Sequence, residues 1–151
     1  MTSTEETLRL AIFKCHPHAR TPHRQTAGSA GYDIHACLDN PVTMNPGERV
    51  SVPTGIQVDI PPGFVLSVRP RSGLAINHGV TLINSPGTID PDFRGEVKIL
   101  MVNLGADPFT ICHGDRIAQA LLEKVYAIDW HETTQLERTA RGEQGFGSTG
   151  K

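Results

Sequence analysis

An aspartate within the stretch Asn84–Ile99 has surroundings that suit a catalytic base. Asp90 follows the turn residues Ser85-Pro86-Gly87, and Pro91 breaks the strand pattern directly after it. Glycine lets a ligand approach the backbone, and a positioned carboxylate can take a proton from an attacking water molecule. Taken alone, the stretch fits an aspartate that bonds its own backbone in an Asx-turn more readily than a base. The assignment of Asp90 therefore depends on the other motifs.

Polar groups suited to a ligand recur in three further places. Arg71-Ser72-Gly73 offers a guanidinium fork, a hydroxyl and a glycine amide, which suit phosphate oxygens, although this tripeptide is common. Gln119 is the single amide in an apolar run, and it needs a hydrogen-bond partner if it is buried. Asp33 follows several small residues, which allow a ligand or another backbone to approach closely. A turn capped by Asp33 and a satisfied core glutamine are the alternatives.

The chain ends in a glycine-rich segment, RGEQGFGSTGK, that carries its own binding chemistry. Glycines at this density hold no fixed conformation unaided, so we expect residues 140–151 to be mobile in the free protein. Arg141, the hydroxyls of Ser148 and Thr149 and the glycine amides could cradle phosphates, while Phe146 could stack on a ring. A Walker A motif is absent, and a disordered terminus is the alternative.

Short strands and turns must position these groups. The 151 residues include 15 glycines and 11 prolines, and only 5% are aromatic, which favours many short strands over long helices. We expect Asn84–Ile99 to be a β-hairpin with Asp90 at its tip, and Asp129–Thr139 to be an extended arm. Apolar runs predict strands over Leu8–Phe13, Arg49–Pro53, Gly55–Ile60, Phe64–Val68, Val80–Ile83 and Glu96–Val102. The pattern indicates a single all-β domain.

Charge and cysteine usage narrow the class of protein. A net charge of −2 gives no indication of a nucleic-acid or membrane partner. Cys15, Cys37 and Cys112 lack metal-site spacing, and the odd count without a signal peptide predicts reduced thiols in the cytoplasm. The histidine-rich stretch HPHARTPHR contains two prolines and no zinc motif, so we expect a solvated loop rather than a metal site.

Five motifs follow one another along the chain: AGYDIHA (Ala30–Ala36), PRSGLA (Pro70–Ala75), GTIDPDFRGEV (Gly87–Val97), GDRIAQ (Gly114–Gln119) and RGEQGFGSTG (Arg141–Gly150). Together they closely resemble the five motifs of the homotrimeric deoxyuridine triphosphatase (dUTPase) family. Each motif is weak alone, but five in this order and at this spacing are very specific. The resemblance covers nearly the whole chain from Ala27 onward.

The resemblance implies a single dUTPase domain over residues 1–151, with a jelly-roll-like all-β fold and residues 140–151 as a mobile C-terminal lid. It implies a homotrimer in which each of three active sites draws on all three subunits. The implied reaction is hydrolysis of dUTP to dUMP and pyrophosphate, with Mg²⁺ on the triphosphate. Such an enzyme limits uracil incorporation into DNA and supplies dUMP for dTMP synthesis.

The resemblance also implies a role for each motif residue. Asp90 would be the general base that activates a water at the α-phosphorus, and Asp33 would contact a metal-bound water. The uracil and deoxyribose would be bound by Asn84, Gly87, Thr88, Ile89, Phe93, Lys98 and Phe146, the last stacking on the base. The phosphates would be bound by Arg71, Ser72, Gly73, Gln119, Arg141, Gly147, Ser148 and Thr149.

Two residues depart from the family pattern. Phe93 stands where the family usually has tyrosine, so the ring under the deoxyribose is kept but its hydroxyl is lost. Gln144 stands where the family often has glycine, which would slightly stiffen the tail. Two other functions fit the same scaffold. A dCTP deaminase-like or bifunctional enzyme would release ammonia from dCTP, and an inactive nucleotide-binding regulator would release no pyrophosphate from dUTP.

Overall fold

The computed structural model describes residues 7–146, which form eleven β-strands and one short helix. In chain order these are β1 (Ala11–Lys14), β2 (Tyr32–His35), β3 (Val42–Met44), β4 (Arg49–Pro53), β5 (Ile56–Asp59), β6 (Phe64–Arg69), α1 (Ser72–His78), β7 (Val80–Leu82), β8 (Gly87–Ile89), β9 (Lys98–Asn103), β10 (Phe109–Ile111) and β11 (Arg116–Lys124). The strands predicted from apolar runs are present with boundaries shifted by a few residues; the first begins at Ala11 rather than Leu8.

Two antiparallel sheets hold most of these strands. One contains four strands in the order β2-β11-β6-β8, the other has three in the order β4-β9-β7, and the pairs β1-β5 and β10-β3 complete the described fold. Side chains from both sheets meet in one apolar core, including Ile34 and Ile117 from the first sheet and Ile99 and Met101 from the second. Strand alternation explains this packing, because every second residue faces inward. The expected all-β, jelly-roll-like architecture is therefore confirmed.

The stretch predicted as a simple hairpin divides between the two sheets. β7 pairs with β9, as a hairpin requires, with Leu82 opposite Met101. The residues between them include β8, which leaves this pair and joins β6 in the other sheet, with Gly87 opposite Val68. A Cβ built at Gly87 would lie 3.3 Å from Nδ2 of Asn84 and 3.4 Å from the Cβ of Val68, so β8 passes close to both. Asp90 consequently follows β8 in a loop that crosses from one sheet to the other.

The helix α1 is an element that the strand-rich sequence pattern did not predict. It begins directly after Arg71 and ends at Gly79, which has φ +67° and donates its N–H to the carbonyls of Ala75 and Leu74. A Cβ at Gly79 would lie 2.6 Å from the backbone nitrogen of Gly105, so only glycine fits this helix end. The sharp stop turns the chain directly into β7.

The segment after β11 has no helix or strand between residues 125 and 146. Its apolar side chains are exposed, with Trp130 at 82% and Leu136 at 84% of their full accessibility. This segment includes the arm expected over Asp129–Thr139. Gly147, Ser148 and Thr149 lie outside the described residues. From residue 7 to residue 146, no helix has both the length and the apolar character needed to cross a membrane.

Candidate active site

A polar cleft of about 420 Å³ opens beside the four-stranded sheet, where β2, β11 and β6 meet the start of α1. Five residues that the sequence pattern singled out line it together: Asp33, Arg71, Ser72, Gly73 and Gln119. The strand register explains how distant motifs converge. Gln119 on the shared strand β11 is the cross-strand partner of Asp33 on β2 and of Arg69 on β6. Such partners project from the same face of a sheet.

Asp33 lies between two arginines in the wall of this cleft. Its side chain is only 11% exposed, and its two carboxylate oxygens lie 3.2 Å from Nε of Arg71 and 3.2 Å from Nη1 of Arg116. Nη1 of Arg71 also donates to the Arg116 carbonyl oxygen at 2.9 Å. These contacts compensate the partly buried carboxylate and hold the Arg71 guanidinium in one orientation. A fixed guanidinium is suited to binding phosphate oxygens.

Gln119 is half-buried, and its side-chain amide nitrogen has a hydrogen-bond partner. Its Nε2 donates to the Pro70 carbonyl oxygen at 3.0 Å, which ties β11 to the residue before Arg71. Gly31 makes room for this side chain, because a Cβ built at Gly31 would lie 2.3 Å from Gln119 Oε1. The position of Gln119 therefore depends on a glycine that itself carries no polar side chain.

A second, smaller hollow of about 40 Å³ lies where β8 passes β9. Five of the residues expected to bind the base line it: Asn84, Gly87, Thr88, Ile89 and Lys98. β8 is an edge strand of its sheet, so its outer backbone groups and the amide of Asn84 offer donors and acceptors of the kind that read the edge of a ring. Among residues 7–146, none lines both this hollow and the larger cleft.

Asp90 and Phe93 occupy the loop between β8 and β9. The Phe93 N–H donates to the Asp90 carbonyl oxygen at 3.2 Å and closes a four-residue turn. The Phe93 side chain is 42% exposed, and Asp90 is exposed as well. Neither residue lines the larger cleft, which holds the candidate phosphate ligands.

The described part of the tail also lies apart from both clefts. Nε of Arg141 donates to the Gln144 carbonyl oxygen at 2.8 Å, and Phe146 is fully exposed. Neither Arg141 nor Phe146 lines either cavity. Within the described residues, these two tail residues therefore lie outside both cavities.

Comparison with known proteins decides the family. A family model described as dUTPase matches residues 17–150. The chain belongs to the dUTPase family. It is 54% identical over 129 residues to the deoxyuridine 5'-triphosphate nucleotidohydrolase of Desulfotalea psychrophila, and the match covers 85% of this chain and 86% of that protein.

Solved dUTPases share this architecture. A mutant dUTPase of Staphylococcus bacteriophage 80alpha with dUpNHpp gives a TM-score of 0.86 at 25% identity, covering 96% of this chain and 100% of that chain. A mutant dUTPase from phage phi11 of S. aureus, described with a structural Mg(II) ion, gives a TM-score of 0.78 at 22% identity. That match covers 87% of this chain and 100% of the phage chain.

Several residues at this dUTPase cleft were not singled out as site residues from the sequence. Gln25 and Arg69 line the cleft, and Arg116 holds Asp33 from the side. Arg116 lies within the motif GDRIAQ, and Arg69 directly precedes the motif PRSGLA. These positions could have indicated a role at the site. Gln25 belongs to an irregular loop, and no motif in the sequence indicates that it lies at the cleft.

Two histidines with stacked rings lie near Asp33. The rings of His23 and His35 are 5.2 Å apart and nearly parallel, at 12°. Burial lowers the pKa of His35 below its ordinary value of 6.5, and the neighbouring His23 lowers it further. Nδ1 of His35 is buried and has no hydrogen-bond partner among the described residues. His35 is therefore held neutral beside the charged residues of the cleft.

Proposed function

We propose that this protein is a dUTP diphosphatase, which hydrolyses dUTP to dUMP and pyrophosphate by in-line attack of a water activated by Asp90. The observation that carries this proposal is the convergence of Asp33, Arg71, Ser72, Gly73 and Gln119 in one cleft, in a chain of the dUTPase family. In the cell, this activity would keep uracil out of DNA and supply dUMP for dTMP synthesis.

The larger cleft supplies what phosphoryl chemistry needs most, which is positioning and charge stabilisation. The guanidinium of Arg71 would grip phosphate oxygens, while the Ser72 hydroxyl, the Gly73 amide and the Gln119 side chain add neutral donors. Because Asp33 and the Arg116 carbonyl already fix Arg71, little reorganisation is needed when substrate binds. This preorganisation favours turnover over mere binding.

The smaller hollow would select the base and the sugar. Uracil would lie against the backbone of Gly87, Thr88 and Ile89, with Asn84 and Lys98 at its edge. A close backbone wall excludes the C5 methyl of thymine by contact. The ring of Phe93 would pack against C2′ of the deoxyribose and leave no room for a hydroxyl, although it lacks the hydroxyl of the family's usual tyrosine.

The separation of the two clefts supports a homotrimer with shared sites. Asp90 is not among the residues that line the cleft of Arg71 in one chain, and in the proposed trimer a second copy would bring the base to it. The third copy would supply residues 140–151 as a lid over the nucleotide. In that lid, Phe146 would stack on uracil, and Arg141, Gly147, Ser148 and Thr149 would close over the phosphates.

The chain's own residues fit a Mg²⁺ ion carried by the substrate. Within residues 7–146, no three histidine, cysteine, aspartate or glutamate side chains are grouped to hold a metal. Both carboxylate oxygens of Asp33 are engaged by arginines, so Asp33 fits a contact through metal-bound water better than direct ligation. Mg²⁺ prefers oxygen ligands and retains waters, and it would neutralise phosphate charge at this site.

Pyrophosphate release from dUTP tests this function. The native protein should release pyrophosphate with Mg²⁺ present, and Asp90→Asn should reduce turnover by about 10²–10⁴ while substrate still binds. Asp92→Asn is the matched control, because this exposed neighbour has no assigned role and should keep normal activity. Ammonia release from dCTP would indicate a deaminase instead, and dUTP binding without pyrophosphate release would indicate an inactive regulator.

A further inference from the structure

One arginine braces the loop that carries Asp90. Nη1 of Arg94 donates to the Pro91 carbonyl oxygen at 2.6 Å and to the Phe93 carbonyl oxygen at 3.0 Å. Both carbonyls belong to the turn that the Phe93 N–H closes onto Asp90. A single charged nitrogen therefore bridges the second and fourth residues of this four-residue turn, which restricts its backbone.

The same guanidinium is tied to a distant part of the chain. Its Nη2 donates to Oδ1 of Asp59 at 2.8 Å. Asp59 is the last residue of β5, which pairs with β1 and lies outside the sheets that hold β8 and β9. Arg94 thus connects the loop to a fixed strand end. Lysine could not replace it, since one ammonium nitrogen cannot span the three acceptors that the fork reaches.

Ordinary stabilisation does not explain this arrangement well. The Arg94 side chain is 59% exposed and that of Asp59 is 61% exposed, and an ion pair so open to solvent contributes little to folding. The contacts instead order a loop whose other groups, Asp90 and Phe93, face solvent. An exposed catalytic loop needs such a brace because it has few packing contacts to fix it.

We propose that Arg94 is a positioning residue, which acts through its hold on the turn to place Asp90 for attack. This inference rests on the proposed function, in which Asp90 is the general base. A displacement of about 1 Å in a catalytic group can cost about 10²-fold in rate. Loss of the brace should therefore lower kcat while leaving phosphate binding in the other cleft largely intact.

The test compares single and double variants in pyrophosphate release from dUTP, with single-turnover measurements for the slowest. Arg94→Lys keeps the charge but loses the fork, and we expect kcat to fall about 10- to 100-fold with little change in KM. Arg49→Lys is the matched control, an exposed strand arginine outside the loop that should keep normal activity. Melting temperatures report whether each variant is folded.

The double variant Arg94→Lys with Asp90→Asn distinguishes positioning from any other role. If Arg94 acts through Asp90, the double variant should be no slower than Asp90→Asn alone. If the kcat losses of the two single variants multiply in the double variant, the proposal is overturned. A normal kcat in Arg94→Lys overturns it as well. If Arg94→Lys does not fold, Asp59→Ala carries the test because it removes the acceptor that anchors the Arg94 guanidinium, and an unchanged kcat there overturns the proposal.

The same set separates this inference from the function beneath it. An inactive Asp90→Asn with a fully active Arg94→Lys would overturn the positioning role and leave the dUTP diphosphatase assignment standing. A fully active Asp90→Asn would instead overturn the base assignment itself.

Discussion

Replacing Gly31 by alanine should disable the phosphate cleft without unfolding the protein. A Cβ at this position would lie 2.3 Å from Gln119 Oε1 and 3.2 Å from its Cδ, whereas ordinary contact begins at 3.4 Å. Oε1 must therefore move by about 1 Å, and such a displacement can cost about 10²-fold in rate. The variant should still fold, because the atom that must move is the end of a flexible side chain and not part of the backbone.

We expect kcat/KM for dUTP to fall about 10- to 100-fold in Gly31→Ala, with the melting temperature close to that of the native protein. Gly28→Ala is the matched control, since a Cβ there meets nothing within 4 Å. It should keep normal activity. The assay is steady-state pyrophosphate release across a range of dUTP concentrations.

A second variant tests whether the loss acts through Gln119. Gln119→Ala removes the side chain that collides with the new methyl group, so Gly31→Ala should add no further loss on that background. If Gly31→Ala alone has native kcat/KM, the side chain of Gln119 can shift without penalty. That result would refute the prediction that the position of Gln119 matters for turnover.

Three further predictions follow from the loop, the histidine pair and the tail. Phe93→Ala should raise turnover of UTP relative to dUTP, and an unchanged ratio of kcat/KM values would mean that the ring only packs. The pKa of His35 is lower in the folded protein than in the unfolded chain, so below pH 6.5 the unfolded chain binds a proton that the folded protein does not. The free energy of unfolding should therefore fall as the pH drops towards the lowered pKa. In His35→Leu the melting temperature should fall less over the same pH range. A dependence on pH identical to that of the native protein would contradict this prediction. Hydrogen exchange in Arg141–Gly150 should slow when a non-hydrolysable dUTP analogue and Mg²⁺ are added, and equally fast exchange would contradict lid closure.

The sequence predicted the architecture well where local patterns control it. Alternation along the predicted strand Glu96–Val102 puts Ile99 and Met101 on the same face, and both are 1% exposed. The helix α1 was missed because its seven residues are too few for a helical repeat to stand out, and it depends on a glycine fit at Gly79. The departure of β8 from the expected hairpin was also missed, since its partner β6 is distant in the chain.

The candidate site was predictable from motifs, but its internal geometry was not. Residue types indicated phosphate binding by Arg71 and Gln119, and the structure lines one cleft with both. That Asp33 holds Arg71 by an ion pair could not be read from the sequence, because the pairing depends on strand register. The sequence also did not reveal the room that Gly31 leaves for Gln119 or the anchor of Arg94 on Asp59, because each joins residues that are far apart in the chain.

In the proposed trimer, the base of one chain joins the phosphate cleft of another. Asp90→Asn and Arg71→Gln trimers should each be nearly inactive. After the two variants are unfolded and refolded together in equal amounts, about a quarter of the sites should combine an intact Asp90 with an intact Arg71. Pyrophosphate release from the whole refolded sample should reach about a quarter of the native rate, and samples mixed without refolding should stay at the rate of the parents. Mixed trimers identified by native mass that stay as inactive as both parents would contradict this arrangement.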